Sequence, residues 1–195
     1  MSSNPHPNLA LEAVIATPEL HRRVPRSRDT ATERRALEEI SRQLDGTPAK
    51  LLERLVELSL DLCRAQTAGL SVLYRKPDGE RYFRWDAMAG VHRGGVGGTT
   101  PRDWSPCGTT LDRRSPQLFY YPHRYFTYFA ALDPKIVEGL VIPIYVRKKE
   151  VGTIWIVGHD EQRKFDSYDV RVMTSIASFC GAGLARMDGK DATAA

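Results

Sequence analysis

A single cysteine in a short polar segment is the residue most suited to chemistry. The segment TPRDWSPCGTTLDR, residues 100–113, places Cys107 directly after Ser105 and Pro106. A serine at the N-cap followed by proline at the first helical position predicts a helix start, so Cys107 would lie in the first turn. Because the positive end of a helix favours a thiolate, three interpretations stay open: a nucleophile, an attachment point for a cofactor, or part of a pocket wall.

Polar side chains on both sides of Cys107 are candidates for contacts with a ligand. Arg102 has the geometry to bind a carboxylate through two hydrogen bonds. Trp104, Phe119 and Tyr121 would add apolar wall, and a mostly apolar surface with a few polar groups is typical of a small-molecule pocket. The eight predicted ligand-binding residues are Arg102, Asp103, Ser105, Cys107, Thr109, Asp112, His123 and Tyr125. The alternative is that these residues have structural roles only. Arg102 and Asp103 would then form an exposed ion pair that adds negligible stability, and Asp112 would hydrogen-bond to the backbone of its own turn.

The composition argues against several classes of protein. The chain has 195 residues and three widely spaced cysteines, Cys63, Cys107 and Cys180, with no CxxC pair, which favours reduced thiols in the cytoplasm. Its five histidines are scattered and show no metal-ligand spacing. The longest apolar run, residues 139–146, is too short to cross a bilayer, and the first residues lack a signal-peptide pattern. We therefore expect a cytoplasmic protein with no metal site and no membrane insertion.

The net charge of +4 has one concentrated source, the segment HRRVPRSR at residues 21–28. Nucleic-acid binders usually concentrate basic residues on one helix or alternate them with exposed aromatic residues. This segment is short and is interrupted by Pro25. We interpret it as a solvated linker and expect no nucleic-acid partner.

Helical segments are predicted where apolar residues recur every three or four positions. Four such helices are expected, over residues 9–16 with Asn8 as the cap, 30–46, 48–68 and 167–187. Thr30 with Glu33 forms a capping box at the start of the second helix. The third helix starts at the proline that follows Thr47, and Gly69 closes it. Asp166 caps the fourth helix. The third and fourth carry more apolar residues than one sheet face can cover, which predicts that each is buried on a second side.

A period of two and strong turn residues predict antiparallel strands. Residues 70–75 and 82–89 flank the turn KPDG and form one hairpin, and residues 139–146 and 151–158 form another whose continuous apolar runs predict cover on both faces. Between the hairpins lies an irregular stretch over 90–116 that includes the flexible segment HRGGVGG, followed by a short strand over 117–120 and a short helix over 123–132. Antiparallel strands bracketed by helices indicate the α+β class.

Four segments together resemble the GAF domain, a sensor module related to PAS domains. They are AGLSVLY at 68–74, SPCGTTLDR at 105–113, LVIPIYVRKKEVGTIWIVGHD at 140–160 and FDSYDVRVMTSIASFCGAGLA at 165–185. The resemblance implies a central antiparallel sheet of about six strands with helices on its faces. It divides the chain into an N-terminal helical extension with a basic linker over 1–46, the GAF domain over 47–187 and a flexible tail over 188–195.

The function that the resemblance implies is a sensor module in bacterial signal transduction. The chain is similar to GAF domains that precede bacterial sensor histidine kinases and to those in phytochrome-like proteins. Such a module binds a small molecule or a partner domain, and we expect an unidentified small-molecule ligand. We also expect a homodimer through the first and last helices of the domain, with a histidine kinase or another signalling protein as partner.

The enzymatic alternative is a thiol-based reductase that uses Cys107. GAF-fold methionine sulfoxide reductases carry a similar CGT sequence and need a further cysteine in the pocket for disulfide exchange. Cys63 and Cys180 fall in the two flanking helices, where core packing is their expected role. The resemblance and the lack of a kinase or other output domain in this sequence favour a non-enzymatic role.

Bilin and haem are the cofactors that the resemblance leaves open. A bilin is usually attached to a cysteine that histidine follows, whereas glycine follows Cys107. A haem would need an axial histidine, for which His123 and His159 are the candidates. Of the pattern that binds cyclic GMP, Lys164 and Asp169 are present but the asparagine is missing, and we interpret these two residues as a salt bridge. We therefore expect no resident cofactor.

Overall fold

Six antiparallel strands form one sheet in the computed structural model, which describes residues 9–43 and 46–191 and the side chains as far as Met187. The strands are β1 (Thr67–Arg75), β2 (Arg81–Gly90), β3 (Thr99–Pro101), β4 (Gln117–Tyr120), β5 (Glu138–Val146) and β6 (Lys149–Gly158). Their order across the sheet is β3-β2-β1-β6-β5-β4. The α-helices of the described ranges are α1 (Glu19–Arg22), α2 (Thr30–Gln43), α3 (Pro48–Cys63), α4 (Pro106–Arg113) and α5 (Ser167–Asp191). The α+β class and the six-stranded sheet with helices on its faces are confirmed.

The two faces of the sheet carry two separate hydrophobic cores. On one face, Leu140, Ile142 and Ile154 belong to a core that includes the buried sides of α3 and α5. On the other face, Phe119 and Val141 belong to a second core that includes buried residues of α4. Neighbouring residues of β5 therefore point into different cores, which confirms that its continuous apolar run is covered on both sides.

The third predicted helix begins as expected but ends earlier. The Thr47 side chain accepts a hydrogen bond from the Lys50 N–H at 3.4 Å. The helix ends at Cys63, because Arg64 takes a left-handed conformation with φ of 49° and turns the chain toward β1. Gly69, expected to close this helix, lies inside β1 instead.

The wide apolar faces of α3 and α5 are covered within the chain. Helix α2 packs on α3 and contributes Ala36 and Ile40 to the core that α3 and α5 form against the sheet, called here the helix-side core. At Gly181 of α5, a Cβ atom would lie 3.0 Å from the carbonyl oxygen of Tyr145, so glycine permits this close approach of helix and sheet. Gly181 therefore serves packing inside one chain, and the twofold contact expected of α3 and α5 stays a prediction.

The fourth predicted helix is capped as expected. The Asp166 side chain accepts hydrogen bonds from the N–H groups of Tyr168 at 2.8 Å and Asp169 at 3.2 Å. Helix α5 then continues to Asp191, and residues 192–195 of the expected tail lie outside the described residues. Across the described ranges, no helix is both long enough and apolar enough to cross a membrane.

The N-terminal extension differs from its prediction. The helix expected over 9–16 is a single 3-10 turn over Leu11–Val14, and its predicted cap, Asn8, lies outside the described residues. Ile15 then forms a β-bridge with Phe119 of β4, and the Ala16 N–H donates to the Leu118 carbonyl at 2.8 Å. Strand pairing with the sheet edge prevails over the helical periodicity of this segment.

The basic segment at 21–28 is not a solvated linker. Arg23 donates two hydrogen bonds of 2.8 Å to the carboxylate of Glu138, whose side chain is fully buried. Arg26 donates to Asp169, also fully buried, at 3.1 Å, and its guanidinium lies 4.2 Å from the centre of the Tyr168 ring. The segment is therefore held to β5 and α5 by buried ion pairs.

The start of α2 differs in its capping residue. Asp29, one residue before the predicted cap Thr30, accepts a hydrogen bond from the Thr32 N–H at 3.0 Å. Glu33, the other half of the predicted capping box, accepts from Arg28 at 2.7 Å. The helix therefore begins where it was predicted, with a different side chain at its N-terminus.

Candidate functional site

A cavity of about 330 Å³ lies over the sheet face opposite α3 and α5. The sheet forms its floor, and α4, the glycine-rich segment after β2 and the aromatic segment after β4 surround it. The lining residues are Thr67, Trp85, Met88, Val91, His92, Gly94, Gly95, Thr100, Pro106, Cys107, Phe119, Pro122, Tyr128, Phe129, Leu132, Ile136, Gly139, Val141, Trp155 and Val157. This volume falls at the lower end of the range for small-molecule pockets.

Two tryptophans on neighbouring strands form much of the floor. Trp155 packs against Gly69, where a Cβ atom would fall within 2.8 Å of three indole atoms, so the glycine in β1 is needed for this position. The Trp155 Nε1–H donates to Ser71 Oγ at 2.8 Å. Trp85 meets Trp155 edge to face, with ring centres 6.4 Å apart. These contacts hold both indole rings in place.

A β-bulge brings further residues of β2 to the cavity. Leu70 of β1 pairs with Ala87, whereas the next residue, Ser71, pairs with Trp85, so Asp86 is the extra residue. Trp85 and Met88 consequently line the same cavity although they are three positions apart. A regular strand would place them on opposite faces.

The glycine-rich segment forms hydrogen-bonded turns beside the cavity. A 3-10 turn covers Arg93–Gly95, and the Gly98 carbonyl accepts a hydrogen bond from the Trp85 N–H at 2.9 Å. Val91 and Gly94 line the cavity and are exposed to solvent, so this segment forms its rim. The predicted irregular stretch therefore closes one side of the pocket.

Helix α4 places Cys107 as the sequence predicts. The Ser105 side chain accepts a hydrogen bond from the Gly108 N–H at 3.0 Å, and Pro106 is the first helical residue. A Cβ atom at Gly108 would overlap the carbonyl oxygen of Arg102, so glycine is needed after the cysteine. The Cys107 thiol donates to Ser71 Oγ at 3.6 Å, and burial raises the pKa of Cys107. The thiol form, rather than the thiolate, therefore faces the cavity.

The other seven predicted ligand-binding residues do not line this cavity. Arg102 is buried and donates to Asp112 at 2.7 Å and to the Gly108 carbonyl at 3.3 Å, while Asp103 is exposed. Ser105 caps α4. The seven residues outside the lining are Arg102, Asp103, Ser105, Thr109, Asp112, His123 and Tyr125. A ligand contact at these positions stays a prediction.

The helix predicted over 123–132 is replaced by two 3-10 turns, Pro122–Arg124 and Thr127–Ala131. They carry an aromatic cluster toward the cavity, in which the Tyr128 ring lies 5.4 Å from Trp104 and 4.4 Å from Phe129. Sequence reasoning missed Tyr128 and Phe129, because an irregular backbone gives no periodic signal for the side that is buried.

Two buried hydroxyl groups in the cavity wall have no hydrogen-bond partner in the described chain. They are Thr100 Oγ1 and the Tyr128 hydroxyl. Thr100 is 4% exposed, and burial raises the pKa of Tyr128 well above its usual range, so its hydroxyl keeps its proton. Since buried polar groups are normally hydrogen-bonded, each of these hydroxyls is a candidate hydrogen-bond partner for a molecule in the cavity.

A histidine pair lies at one end of the cavity. His92 lines it, and its ring meets that of His159 edge to face with centres 4.8 Å apart. His159 Nδ1 lies 2.9 Å from the Lys135 carbonyl and Nε2 lies 2.8 Å from Thr67 Oγ1. These contacts suit a neutral ring that donates from Nδ1, and burial lowers the pKa of His159.

The remaining cysteines and the residues compared with a cyclic-GMP site lie elsewhere. Cys63 and Cys180 are free thiols buried in the helix-side core, and burial raises the pKa of both. The Lys164–Asp169 salt bridge predicted from the sequence is wrong, since Asp169 pairs with Arg163 at 2.6 Å. Among the described residues, no group of three or more His, Cys, Asp or Glu side chains is placed to hold a metal ion.

Comparison with known proteins places this geometry in a family. The GAF domain family matches residues 45–185. Comparison with curated proteins gives no match. Among solved structures, the GAF domain of a phosphoenolpyruvate-protein phosphotransferase from Acinetobacter is 15% identical, with a TM-score of 0.66 over 82% of this chain and 94% of that one.

Two other similar structures come from proteins of different kinds. The GAF-B domain of DevS from Mycobacterium smegmatis is 17% identical, with a TM-score of 0.59 over 75% of this chain and 98% of that one. The free methionine-R-sulfoxide reductase from Neisseria meningitidis is 12% identical, with a TM-score of 0.60 over 83% and 93%. At these identities the structures show a shared fold, and together with the family match they establish that the chain belongs to the GAF domain family.

Proposed function

We propose that this GAF domain is a sensor module that binds a small organic molecule in the cavity over its sheet. The observation that carries the proposal is the cavity itself, which is mostly apolar and is lined by Thr100 and Tyr128, whose buried hydroxyls have no partner among the described residues. Such a combination of apolar wall and few polar groups is typical of small-molecule sites. GAF domains of the same fold include one from a cyanobacterial phytochrome with bound phycoerythrobilin.

Alternate residues of one strand, β5, contact the cavity on one face of the sheet and the core of α3 and α5 on the other. Val141 of β5 lines the cavity, while its neighbours Leu140 and Ile142 belong to the core that α3 and α5 share. A ligand that moves Val141 therefore changes the packing of both helices, because a closely packed core transmits small displacements. In this proposal the module works as a homodimer in the bacterial cytoplasm and passes the change to a histidine kinase or another signalling protein.

The cavity wall does not fit a haem or a bilin. Neither His123 nor His159, the predicted axial ligands, lines the cavity, and His92 Nε2 lies 3.1 Å from the Pro134 carbonyl oxygen. Within the described part of the chain, the lining holds no lysine or arginine that would neutralise the carboxylates of either group. An absorption spectrum of the purified protein without a visible band is the expected result.

The geometry gives little support to the thiol reductase. The Cys107 thiol faces the cavity, but its raised pKa disfavours the thiolate that would attack a sulfoxide. Cys63 and Cys180 belong to the core on the other side of the sheet, away from Cys107. Turnover of methionine sulfoxide with a thiol reductant, abolished by Cys107→Ser, would establish the enzymatic function against this proposal.

The test is native mass spectrometry of protein purified from its own host. We expect the wild-type chain to carry a small-molecule adduct that the Gly139→Leu variant lacks, because Gly139 lines the cavity and a side chain there would reach Val157 and Ile136. Ala31→Leu, at an exposed position on α2 away from the cavity, is the matched control and should keep the adduct. An adduct that survives Gly139→Leu unchanged would place binding elsewhere and contradict the proposal.

A further inference from the structure

The charge of the cavity wall limits what it can hold. None of the described residues that line the cavity is lysine, arginine, aspartate or glutamate. Arg102, predicted from the sequence to anchor a carboxylate, is engaged by Asp112 at 2.7 Å. An ion buried without a partner is strongly disfavoured in apolar surroundings. A molecule that fills this cavity is therefore stabilised best when it carries no charge.

The size and composition of the wall indicate a flat aromatic molecule. An apolar cavity of roughly 150 Å³ accommodates one benzene ring, so about 330 Å³ leaves room for roughly two rings. Trp85, Trp155, Phe119 and Phe129 all line the space. Aromatic side chains favour other rings in offset-stacked or edge-to-face contacts.

The Tyr128 hydroxyl defines where a polar group of that molecule would lie. The Tyr128 side chain lines the cavity, and its buried hydroxyl has no partner in the described chain. Contacts with Trp104, Phe126 and Phe129 fix the orientation of its ring before any ligand binds. A donor held in place in this way forms a hydrogen bond with an incoming acceptor at little entropic cost.

We infer that the cavity takes an uncharged aromatic molecule of about two rings with a single hydroxyl or carbonyl group that accepts a hydrogen bond from Tyr128. This inference rests on the proposed function and specifies the class of ligand. The site combines an apolar enclosure that holds four aromatic rings, a donor fixed in orientation and, among the described residues that line it, no lysine, arginine, aspartate or glutamate. Thr100 supplies a second hydroxyl in the same wall.

Three probes of similar shape separate these features: naphthalene, 2-naphthol and 2-naphthoate, the last an anion at neutral pH. Binding is followed by the fluorescence of Trp85 and Trp155 and by calorimetry. We expect 2-naphthol to bind roughly two- to tenfold more tightly than naphthalene, the gain of one hydrogen bond, and 2-naphthoate to bind more weakly than either. In Tyr128→Phe, 2-naphthol should fall to the affinity of naphthalene while naphthalene itself is unchanged.

The outcomes distinguish this inference from the proposed function. If 2-naphthoate binds as tightly as 2-naphthol and Gly139→Leu abolishes both, the cavity is a ligand site but the uncharged class is wrong. If 2-naphthol still binds more tightly than naphthalene in Tyr128→Phe, the Tyr128 hydroxyl is not the hydrogen-bond donor. A charged adduct found in protein from the host would overturn the inference as well. Failure of all probes together with the absence of any adduct would overturn the proposed function itself.

Discussion

Replacing Tyr128 with phenylalanine should make the ligand-free protein more stable, although it removes a polar group from a site. The buried Tyr128 hydroxyl has no partner within the described residues. Folding therefore removes it from water without a compensating hydrogen bond, which costs roughly 1–3 kcal/mol. Tyr128→Phe should recover that amount. For a chain of this length, each kcal/mol shifts the melting temperature by about 2–4 °C, so we expect a rise of about 2–12 °C.

The assay is thermal and urea unfolding of both proteins after removal of bound small molecules, because a ligand would stabilise the wild type selectively. Tyr74→Phe is the matched control: the Tyr74 hydroxyl donates to Asp86 at 2.7 Å and accepts from Arg84 at 2.6 Å. That variant should lose about 1 kcal/mol or more of unfolding free energy. If Tyr128→Phe is destabilised as much as Tyr74→Phe, the hydroxyl has a partner and the reasoning is refuted.

Three further variants test other parts of the structure. Gly69→Ala should lower the unfolding free energy by about 1–3 kcal/mol and change the fluorescence emission of Trp155, because the added methyl group overlaps the indole. An unchanged emission spectrum would contradict the packing of Trp155 against Gly69. Arg23→Ala should lower the unfolding free energy in urea by about 3–5 kcal/mol, since it leaves the fully buried Glu138 without its cation, whereas a loss below 1 kcal/mol would mean that the pair is solvated. Burial lowers the pKa of His159, so the folded state binds fewer protons than the unfolded state below about pH 6.5, and stability should fall as pH drops through that range. His159→Gln should flatten the decline measured by urea unfolding between pH 7 and 5, and an unaltered slope would exclude His159 as a source.

Local hydrogen-bonding rules predicted much of the fold correctly. The Ser105 and Asp166 caps and the proline at the start of α3 depend on residues within a few positions, so the sequence displays them directly. The pairing of Ile15 with Phe119 and of Arg23 with Glu138 joins segments about a hundred residues apart, and no local pattern encodes it. The extension and the basic segment were misread for that reason.

The candidate site was predicted in part. Cys107 was identified, because a serine cap and a proline fix the start of α4. Trp85 and Met88 were missed, since the bulge at Asp86 shifts which strand residues share a face. For Trp155 the alternation along β6 was available as a signal, but an apolar run on both faces does not reveal which face borders a cavity. Arg102, which looked suited to a ligand carboxylate, forms an ion pair with Asp112 and does not line the cavity.

The segment before α2 has a practical consequence for work with fragments of this protein. β4 is an outer strand, and Ile15 and Ala16 occupy backbone groups that would otherwise be open to a strand from another molecule. Unprotected outer strands promote aggregation. A fragment that begins at residue 45, where the family match begins, would expose the outer edge of β4. It would also lose the Arg23 guanidinium that neutralises Glu138. Soluble expression of the sensor should therefore require the residues from about 9 onward, which makes this extension part of the folding unit.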